Sequence, residues 1–468
     1  MRGIMWFRED LRIQDNTALY HASQKCKHGI IAVYFIDTWM WHKNKIAACR
    51  VDFILRGLAE LRKALNKLNI PLLIREVDHT TLIPQELHKL INEFKADALY
   101  FNHQYEVNEA RRDQAVYGYL NTKKIKCYSY DDQTILPPSS VVTQKGGFYS
   151  VFTPYKRTWQ RHMFEQERLK LLPSPTKQTK LRIKSSKIPA LISGFESTID
   201  ADLWPAGELN ARKRLNHFID EKLFLYDKQR NFPAVDGTSR LSPYLSAGMI
   251  SVRECFASAM VANKNELDTG NPGAVMWMNE LIWRDFYKDI LIAVPRISMC
   301  KAFKEKTETL SWHYDQEQLI AWKEGKTGFP IIDAAMRQLN TEGWMHNRLR
   351  MVVAMFFTKY LFFDWRIGEE YFMSHLIDGD LSANNGGWQW SASTGVDAAP
   401  YFRIFNPITQ SKRFDPKGQF IRQYCPELAK LDDKTIHDPE NLTNYPEQIV
   451  NLEISRKQTI AAFKKLKI

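Results

Sequence analysis

Near the end of the chain, residues 378–407 read DGDLSANNGGWQWSASTGVDAAPYFRIFNP. Short polar side chains stand here beside two glycines, which allow close approach to the backbone, and beside two tryptophans. This composition is typical of neither an ordinary helix nor an ordinary strand. Polar groups next to large aromatic rings suit a planar, heteroatom-rich ligand such as a flavin, whereas each residue taken singly also fits a loop with Asx turns and core tryptophans. The residues concerned are Asp378, Asp380, Asn384, Asn385, Trp388 and Trp390.

Length and composition limit the class of protein. The chain has 468 residues and a formal net charge of +12 at pH 7. Its length predicts two or more domains, and its charge fits either a polyanionic partner or a generic basic protein. Six scattered cysteines without metal-site spacing favour a reducing compartment and no bound metal. We find no bilayer-length apolar run and no room for a signal peptide, so we expect a cytoplasmic protein.

Residues 1–130 alternate short apolar segments with amphipathic ones, which favours a parallel sheet covered by helices. The predicted strands are 3–7, 30–36, 71–77, 98–102 and 125–130. The helices predicted between them include 48–68 and 82–94. No GxGxxG motif follows the first strand, so dinucleotide binding in the manner of NAD is not expected there.

Residues 131–204 are predicted to link two domains, because 172–203 is rich in Lys, Ser, Pro and Thr and reads as an exposed linker. From about residue 205, helical patterns dominate at 206–225, 252–262, 274–293 and 331–361. Eight of the thirteen tryptophans lie between residues 277 and 390, which indicates unusual chemistry in this part. The sequence therefore predicts an α/β domain over 1–130, a long linker, and an all-α domain over 205–468.

One helix start and two helix faces are candidate binding sites. Ser242 before Pro243 is typical of an N-cap followed by the first helical residue, where free amides and nearby hydroxyls can hold a phosphate or serve only as a cap. Three- and four-residue spacing places side chains on a common helix face. The first face holds Trp277, Glu280 and Arg284, with Trp283 adjacent, and the second holds Trp344, Asn347 and Met351, with Arg350 alongside. A carboxylate among aromatic rings suits a cavity or ligand better than a core.

The sequence as a whole resembles the DNA photolyase and cryptochrome family, most densely over residues 226–407. Besides the stretch 378–407, the resemblance rests on RNFPAVDGTSRLS at 230–242, WFREDLRIQDN at 6–16 and YEVNEARRD at 105–113. It implies a Rossmann-like amino-terminal domain, an all-α FAD-binding domain and a monomer. The implied enzyme is a deoxyribodipyrimidine photo-lyase. In it, reduced FAD excited by blue light donates an electron to a flipped cyclobutane pyrimidine dimer in UV-damaged DNA, and the dimer splits.

This resemblance assigns one set of residues to FAD. The segment GTSRLS holds the phosphates, and Arg350, paired with Asp378, favours the anionic reduced ring, because a nearby cation lowers the pKa of an acid. Asn384 faces flavin N5, where its amide can donate or accept a hydrogen bond. The complete set is Tyr226, Thr238, Ser239, Arg240, Leu241, Ser242, Trp277, Arg284, Asn347, Arg350, Asp378, Asp380 and Asn384.

The resemblance assigns other residues to the lesion and to an electron relay. Glu280 is expected to hydrogen-bond the flipped pyrimidine, and the other lesion contacts are Trp283, Met351 and Trp390. For the DNA phosphates we nominate Arg230, Arg348 and Arg403, although any one of them also fits a solvated residue or a structural ion pair. Trp312, Trp365 and Trp388 match the family's tryptophan chain that carries electrons to oxidised flavin, although their spacing alone also fits core packing.

Two rival functions use the same features. A cryptochrome-type photoreceptor has the same fold and flavin, but it usually carries Asp or Cys in place of Asn384 and has a carboxy-terminal extension, which we do not expect here. An electron-transfer flavoprotein would not explain the net charge or Glu280 and Trp283. Photolyases for the (6-4) lesion carry histidines at the positions of Asn347 and Met351, so that lesion is not expected.

A second, light-harvesting chromophore is also implied by the resemblance. Asn108, Glu109, Cys300 and Lys301 match positions that folate-binding members use. A carboxylate and an amide can hold the donor edge of a pterin, and a lysine can meet the glutamate tail. Folate binders place a histidine after a tryptophan near residue 42, and His42 is the candidate here. We therefore predict a 5,10-methenyltetrahydrofolate antenna.

Overall fold

The computed structural model describes residues 1–165, 169–440 and 442–466. They form two compact units. The first unit contains Met1–Ser197, Ala201–Phe224 and Ser239–Pro295, and the second contains Thr198–Asp200, Leu225–Thr238 and Arg296–Ile468. The segment Ser239–Pro295, which its helical pattern assigns to the second domain, thus lies in the first unit. The limits at residues 130 and 205 stay predictions about functional domains.

The first unit is built on a five-stranded parallel sheet with the strand order β3-β2-β1-β4-β5. The strands are β1 (Gly3–Phe7), β2 (Ile30–Ile36), β3 (Leu72–Glu76), β4 (Ala98–Asn102) and β5 (Lys126–Tyr130). Every residue of β1 and β2 is buried, as expected for central strands with helices on both faces. The predicted parallel sheet is confirmed, and the predicted limits differ by a residue only at β3 and β5.

Of the stretches that apolar spacing predicts as helical, 48–68, 82–94, 252–262 and 274–293 match observed limits to within two residues, whereas the helix predicted over 206–225 ends earlier, at Glu221. Apart from the sheet, the regular structure of the described residues consists mainly of α-helices. In chain order they are α1 (Thr17–Lys25), α2 (Thr38–Lys43), α3 (Ala48–Lys67), α4 (Ile83–Glu93), α5 (Val107–Thr122), α6 (Phe152–Glu165), α7 (Glu208–Glu221), α8 (Tyr226–Gln229), α9 (Ser242–Ser246), α10 (Val252–Ala262), α11 (Pro272–Ala293), α12 (Gln316–Glu324), α13 (Pro330–Glu342), α14 (Asn347–Met355), α15 (Trp365–Met373), α16 (Leu381–Ala392), α17 (Pro407–Phe414), α18 (Gln419–Tyr424) and α19 (Leu452–Lys465). Within the described ranges, no helix combines the length and the apolar character needed to cross a membrane.

The predicted linker 131–204 is more ordered than its composition suggests. It contains α6, and its later part is hydrogen-bonded to the sheet. The side chain of Gln178 accepts from Ile30 N at 2.7 Å and donates to Ile30 O at 3.0 Å. Ser186 donates its backbone N–H to Leu72 O at 2.8 Å. This segment therefore uses the polar backbone groups that the edge strand β3 would otherwise leave unpaired.

Four charged residues, of which Arg12, Asp15 and Asp132 are buried and Arg253 nearly so, join distant segments of the first unit. Arg12 Nη2 lies 2.6 Å from Asp132 Oδ2, and Arg253 contacts both Asp132 at 3.0 Å and Asp15 at 2.9 Å. Burial alone would raise the pKa of Asp132, but Arg12, Arg253 and the Thr17 amide hold it well below its ordinary value. The network fixes the start of the predicted linker and α10 to the loop that follows β1.

The second unit is helical, and its core includes the aromatic side chains of Trp322, Phe357, Trp365 and Trp388. The pattern over 331–361 was predicted as one helical stretch, and this was wrong in detail. Gly343 takes a left-handed conformation (φ +66°) and ends α13, as glycine often does because it has no Cβ. His346 then caps α14 through Arg348 N, and a π-helical turn over Phe356–Tyr360 follows.

We expect Asp132→Asn to lower the free energy of unfolding by about 3–5 kcal/mol at pH 7, because a buried and a nearly buried guanidinium group would lose their common carboxylate. Since the folded-state pKa of Asp132 lies below the unfolded-state value, its contribution is present above about pH 4–5 and is lost as the pH falls. Urea unfolding followed by circular dichroism at pH 7 and at about pH 3, below the unfolded-state pKa, should therefore show the difference between variant and wild type shrinking in acid.

The matched control is Asp52→Asn, because Asp52 pairs with Arg56 at a partly exposed position on α3. Exposed pairs of this kind contribute about 1 kcal/mol or less. Equal destabilisation by the two substitutions would contradict a dominant role for the buried network.

Candidate functional site

The stretch 378–407 does contain a regular helix, so the expectation that it avoids such structure was wrong. Helix α16 spans 12 residues. Asp380 is its N-cap and accepts from Ala383 N at 3.1 Å, and Ser393 ends it with φ +66°. Two adjacent glycines and two asparagines weaken the intrinsic preference for helix, and tertiary packing overrides it because most helical stability in proteins comes from packing.

One face of α16 is open above its backbone. Asn384, Gly387 and Trp390 follow one another at three-residue spacing, and the side chains of Asn384 and Trp390 are half-buried. A Cβ atom built on Gly387 meets no other atom within 4 Å. Asn385 and Trp388, by contrast, are buried. The glycine thus leaves bare backbone between an amide and an aromatic ring, which is the space that a flat ligand needs.

The amide of Asn384 is held at its donor end. Its Nδ2 donates to the backbone oxygen of Glu369 at 3.0 Å, and no described residue donates to its Oδ1. The next residue, Asn385, donates to the Glu369 carboxylate at 3.2 Å. The contact with Glu369 therefore leaves Asn384 presenting an acceptor, a distinction that the sequence alone does not make.

Glu369 is a buried carboxyl group behind this amide pair. Burial raises its pKa to about 7, against the opposing effects of the Asn385 hydrogen bond and of Arg366. Sequence analysis missed Glu369, because a single glutamate in a helix reads as a solvated residue. Its position next to two asparagines is visible only in the tertiary structure.

Arg350 and Asp378 form the ion pair that the family resemblance implies. Arg350 Nη2 lies 2.7 Å from Asp378 Oδ2, and Arg350 Nε donates to Met345 O at 2.8 Å. Asp378 is buried, and its Oδ1 has no hydrogen-bond partner among the described residues. A buried carboxylate oxygen of this kind needs a donor, and an N–H group of a ligand can supply it.

Asn347 and Met351 lie on α14, where Arg348 is held by a partner that sequence analysis missed. Asn231 Oδ1 accepts from Arg348 at 2.6 and 3.2 Å, and Arg348 Nη1 lies 3.6 Å from Met351 Sδ. The guanidinium group also lies over the Phe414 ring at 4.6 Å. The Arg348 side chain is therefore held in one orientation by these contacts. Arg403 is exposed, as a phosphate contact requires.

The three tryptophans of the predicted relay occupy one core in the second unit. Trp365 and Trp388 belong to it, and Trp312 packs against it. Helix α15 approaches Trp388 so closely that a Cβ on Gly368 would lie 2.1 Å from the Trp388 ring. Trp388 also meets Trp322 with ring centroids 6.3 Å apart. Nothing in the sequence distinguishes Trp322 from an ordinary core tryptophan.

Helix α11 of the first unit carries two residues assigned by resemblance to the flavin, Trp277 and Arg284, and two assigned to the lesion, Glu280 and Trp283. Trp277 is buried with its ring centroid 4.8 Å from that of Phe218, and Glu280 is half-buried. Trp283 is stacked on Phe152, with centroids 3.6 Å apart and planes 8° apart. Arg284, assigned by resemblance to the flavin, donates to Gln133 O. Its assignment stays a prediction.

The predicted phosphate segment surrounds the start of α9. Leu241 occupies the N-cap position and Ser242 is the first helical residue, so the prediction of Ser242 as N-cap was wrong by one residue. Arg240 has φ +49°, and this left-handed residue turns the chain where the helix begins. Ser239 Oγ accepts from Leu241 N at 3.4 Å.

In the second unit, Thr238 follows a loop that returns to α8, the helix that begins at Tyr226. A Cβ built on Gly237 would lie 2.4 Å from Gln229 Cβ, so only glycine fits there. The guanidinium group of Arg230 lies 5.4 Å from the centre of the Tyr226 ring. Tyr226 and Arg230 are thus neighbours at the end of this short helix.

The residues assigned to the antenna fall into separate groups. In the first unit, Asn44 donates to Glu109 at 2.8 Å and accepts from Asn108 at 3.3 Å. Burial and, secondarily, Glu106 raise the pKa of Glu109 to about 7. His42 instead packs on Phe195, so the side chain that joins these residues is Asn44.

A cavity of about 90 Å³ in the first unit is lined by both Asn44 and Glu109. In the second unit, Cys300 is exposed and its carbonyl accepts from Arg366 Nε at 2.7 Å. The backbone carbonyl of Lys301 accepts from Gln389 at 3.3 Å. The Lys301 ammonium group takes no part in that hydrogen bond.

Two family models match the chain. The one described as DNA photolyase matches residues 3–176, and the one described as FAD binding domain of DNA photolyase matches residues 277–465. The deoxyribodipyrimidine photo-lyase of Escherichia coli (strain K12) is 42% identical over 470 residues, which cover 98% of this chain and 98% of that protein. The chain belongs to the DNA photolyase family.

Solved structures of photolyases and cryptochromes share the fold of this photolyase-family chain. An archaeal photolyase from Sulfolobus tokodaii, described with two FAD molecules and a novel light-harvesting cofactor, has a TM-score of 0.85 and 30% identity, covering 99% of this chain and 100% of that one. The cryptochrome of Synechocystis sp. PCC6803 has a TM-score of 0.87 and 26% identity, covering 99% of both chains. The predicted fold class and the FAD-binding domain are confirmed.

The side chains of this photolyase-family chain fit a bound flavin. The bare backbone at Gly387 leaves space for a flat ring. The unpartnered Asp378 Oδ1 calls for an N–H donor, and an isoalloxazine carries one on its pyrimidine edge. Arg350 adds a positive charge beside that carboxylate. These groups are complementary to a ring whose reduced form is anionic.

Replacing Glu369 should change how the stability of this photolyase-family protein depends on pH. The folded-state pKa of about 7 lies above the unfolded-state value, so the group's contribution is complete below about pH 4.5 and is lost as the pH rises through 7. In Glu369→Gln the side chain does not titrate, so this loss of stability with rising pH disappears. The free energy of unfolding of the FAD-bound protein, measured in urea at pH 5 and pH 8, should therefore fall by about 3 kcal/mol less in the variant than in wild type.

Glu370→Gln is the matched control, because Glu370 is the exposed neighbour on the same helix. It should leave the wild-type dependence on pH in place. If Glu369→Gln and wild type lose equal stability between the two pH values, the buried carboxyl group does not titrate as its surroundings imply.

Proposed function

We propose that this chain repairs cyclobutane pyrimidine dimers in DNA by light-driven electron transfer. The observation that supports this most is the open face of α16, where Asn384, Gly387 and Trp390 leave space for a flat ring within the part that matches the FAD-binding family model. Relatives about 40% identical over nearly the full chain carry the name deoxyribodipyrimidine photo-lyase. Their name supports a pyrimidine dimer as the substrate.

The chemistry that reduced FAD supplies when bound is a light-driven electron, lent to the dimer and regained after its ring opens. Asn384, fixed at Glu369 O, presents Oδ1 as an acceptor for an N–H group such as that at N5 of a reduced flavin. Asp378 Oδ1 accepts from a second N–H group. Arg350 stabilises negative charge on the ring through its position beside Asp378. The phosphates of the cofactor are assigned to residues 238–242.

The lesion is recognised by aromatic faces and one carboxyl group. Extruding a base costs a few kcal/mol, and less where damage already weakens stacking. Stacking on an aromatic ring returns about 1–3 kcal/mol per base. Trp283 and Trp390 can therefore offset extrusion of a dimer but not of two intact stacked bases. Glu280 hydrogen-bonds the polar edge of the flipped pyrimidine, and Met351 supplies an apolar contact.

The DNA backbone is held by arginines, and the net charge of +12 attracts it. Arg348 is oriented by Asn231, and Arg403 is exposed; Arg230 is the third candidate. Phosphate contacts of this kind position the duplex without reading its sequence. We further propose that the protein acts as a monomer in the cytoplasm.

A relay of Trp388, Trp365 and Trp312 brings electrons to oxidised flavin. Trp388 and Trp365 lie in one apolar core and the half-buried Trp312 packs against it, which supports a path from the surface to the interior. The relay prepares the reduced cofactor and takes no part in repair itself.

A cryptochrome-type photoreceptor is the alternative function. The similarity to the Synechocystis cryptochrome shows that the fold allows it. Asn384 favours repair, because cryptochromes usually carry Asp or Cys at this position, and so do the names of the more similar relatives.

The antenna is proposed to be 5,10-methenyltetrahydrofolate. The hydrogen-bonded Asn108, Asn44 and Glu109 offer a carboxyl group and amides to a pterin, and the resemblance assigns Cys300 and Lys301 to the same cofactor. The Sulfolobus tokodaii photolyase contains a second FAD instead, so a flavin is the competing antenna.

Repair in the light but not in darkness is the direct test of the proposed function. Chemically pre-reduced protein and an oligonucleotide with a single thymine dimer should yield intact thymines under blue light only. Trp312→Phe should repair almost as fast as wild type when pre-reduced, because the relay is then unnecessary, yet it should lose light-driven reduction of oxidised FAD.

An absence of light dependence would contradict repair. Light-dependent reduction of FAD without any repair would favour the photoreceptor. Loss of both activities in Trp312→Phe would show that Trp312 is needed for folding and not for the relay alone.

Reconstitution with methenyltetrahydrofolate tests the antenna. Wild type should gain near-ultraviolet absorbance beyond that of FAD, and Glu109→Ala should not, because the pterin loses its carboxyl partner. Glu93→Ala, at an exposed position on α4, is the matched control and should behave as wild type. A wild-type spectrum that remains that of flavin alone contradicts the folate proposal, and two FAD molecules per chain would identify a flavin antenna.

A further inference from the structure

Trp283 lies between aromatic neighbours: it stacks closely on Phe152, and the Tyr287 ring on the same helix lies 5.7 Å away with its plane inclined by 29°. The Phe152 ring lies parallel to it, with centroids 3.6 Å apart and planes inclined by 8°. Phe152 is 8% exposed, whereas Trp283 is half-buried. Phe286 stands edge-on to both rings at 5.6–5.8 Å. The tryptophan ring is therefore held in one plane, and contact with Phe152 occupies one of its faces.

The stack follows from how α6 packs on α11 in the first unit. Phe152, Tyr155 and Trp159 recur at three- and four-residue spacing, so they share one face of α6. Tyr155 OH donates to Asp289 at 2.8 Å, and Trp159 Nε1 donates to Asp285 at 3.1 Å. These two bonds fix α6 along α11, and Phe152, in the first turn of α6, comes to lie over Trp283.

The same two aspartates also hold the chain before α6. Asp285 accepts from Ile135 N at 3.1 Å, and Asp289 accepts from Ser139 N at 2.9 Å. Both carboxyl groups are buried. A buried carboxylate keeps its position only when donors surround it. Residues 131–140 and α6 are thus positioned together by the helix that carries Glu280 and Trp283.

We propose that Phe152 is a positioning residue that sets the affinity for the lesion. It fixes the Trp283 ring before DNA binds, so that a flipped dimer stacks on a ring that has already lost its rotational freedom. Because the Trp283 ring is ordered before binding, the lesion binds without a further loss of side-chain entropy at this residue. The attraction between the stacked Phe152 and Trp283 rings holds the ring in that position. This inference rests on the proposed role of Trp283. Undamaged DNA does not present a flipped base, so the affinity of the protein for undamaged DNA should not depend on Phe152.

The test compares Phe152→Leu with Phe164→Leu, the same change at a largely exposed position on the same helix. Phe152→Leu should raise the Kd for a dimer-containing duplex about three- to tenfold. Its Kd for undamaged duplex, its dependence on salt and its FAD content should remain those of wild type. Phe164→Leu should change none of these. Phe152→Tyr keeps the ring and should recover most of the affinity, which also covers the case in which Phe152→Leu folds poorly.

A double-mutant cycle with Trp283→Leu isolates the pair. In the Trp283→Leu background, Phe152→Leu should change the Kd for damaged DNA less than about twofold, because the ring that it positions is gone. Equal effects of Phe152→Leu in both backgrounds overturn the proposal. So does a tyrosine variant as weak as the leucine variant, or an equal loss of affinity for undamaged DNA.

Fluorine NMR of protein labelled with 5-fluorotryptophan reports on the stack without DNA. The Trp283 signal, identified by its absence in Trp283→Phe, should shift in Phe152→Leu because the ring current of Phe152 is lost. A shift without any change in lesion affinity overturns the positioning role. If the wild-type protein binds damaged and undamaged duplexes equally, the proposed repair function itself fails. That outcome differs from a failure of the Phe152 proposal alone, in which wild type still prefers damaged DNA.

Discussion

Three buried charged side chains, Arg12, Asp15 and Asp132, and the nearly buried Arg253 form one network that joins parts of the first unit distant in sequence. A buried charge is tolerated only when paired, and removing one partner leaves the others uncompensated. The loop after β1, the residues after β5 and helix α10 must therefore all be in place at once. The alignment of α10 and α11 with the sheet depends on this constraint.

Buried carboxyl groups organise the functional parts of both units in the same manner. Asp285 and Asp289 fix α6 and the preceding segment to α11, and Glu369 receives the amide of Asn385 beneath the open face of α16. Burial raises the pKa of Asp285, as of Glu369, to about 7. Burial thus disfavours the ionised form of the same carboxyl groups that hold neighbouring side chains in place, and such perturbed groups are common at functional sites.

Periodicity predicted most of the fold, because the apolar spacing of strands and helices is a local property. The limits of β1, β2, β4 and α10 agree with the sequence-based ones. The prediction failed where local preference and tertiary packing disagree. The stretch over 381–392 looks unsuited to a helix and is one, because Asp380 caps it and the core buries its other face. The pattern over 331–361 looks continuous and is broken at Gly343.

The sequence by itself determined the family and the parallel sheet and indicated a candidate flavin-binding stretch, because these are carried by local spacing and by motifs. Only the tertiary structure decided which partners orient the candidate site residues. Phe152 behind Trp283, Asn231 beside Arg348 and Glu369 beneath Asn384 each come from a different segment of the chain. The reason is physical: a side chain's orientation depends on contacts between distant segments, and a single sequence does not record which segments meet.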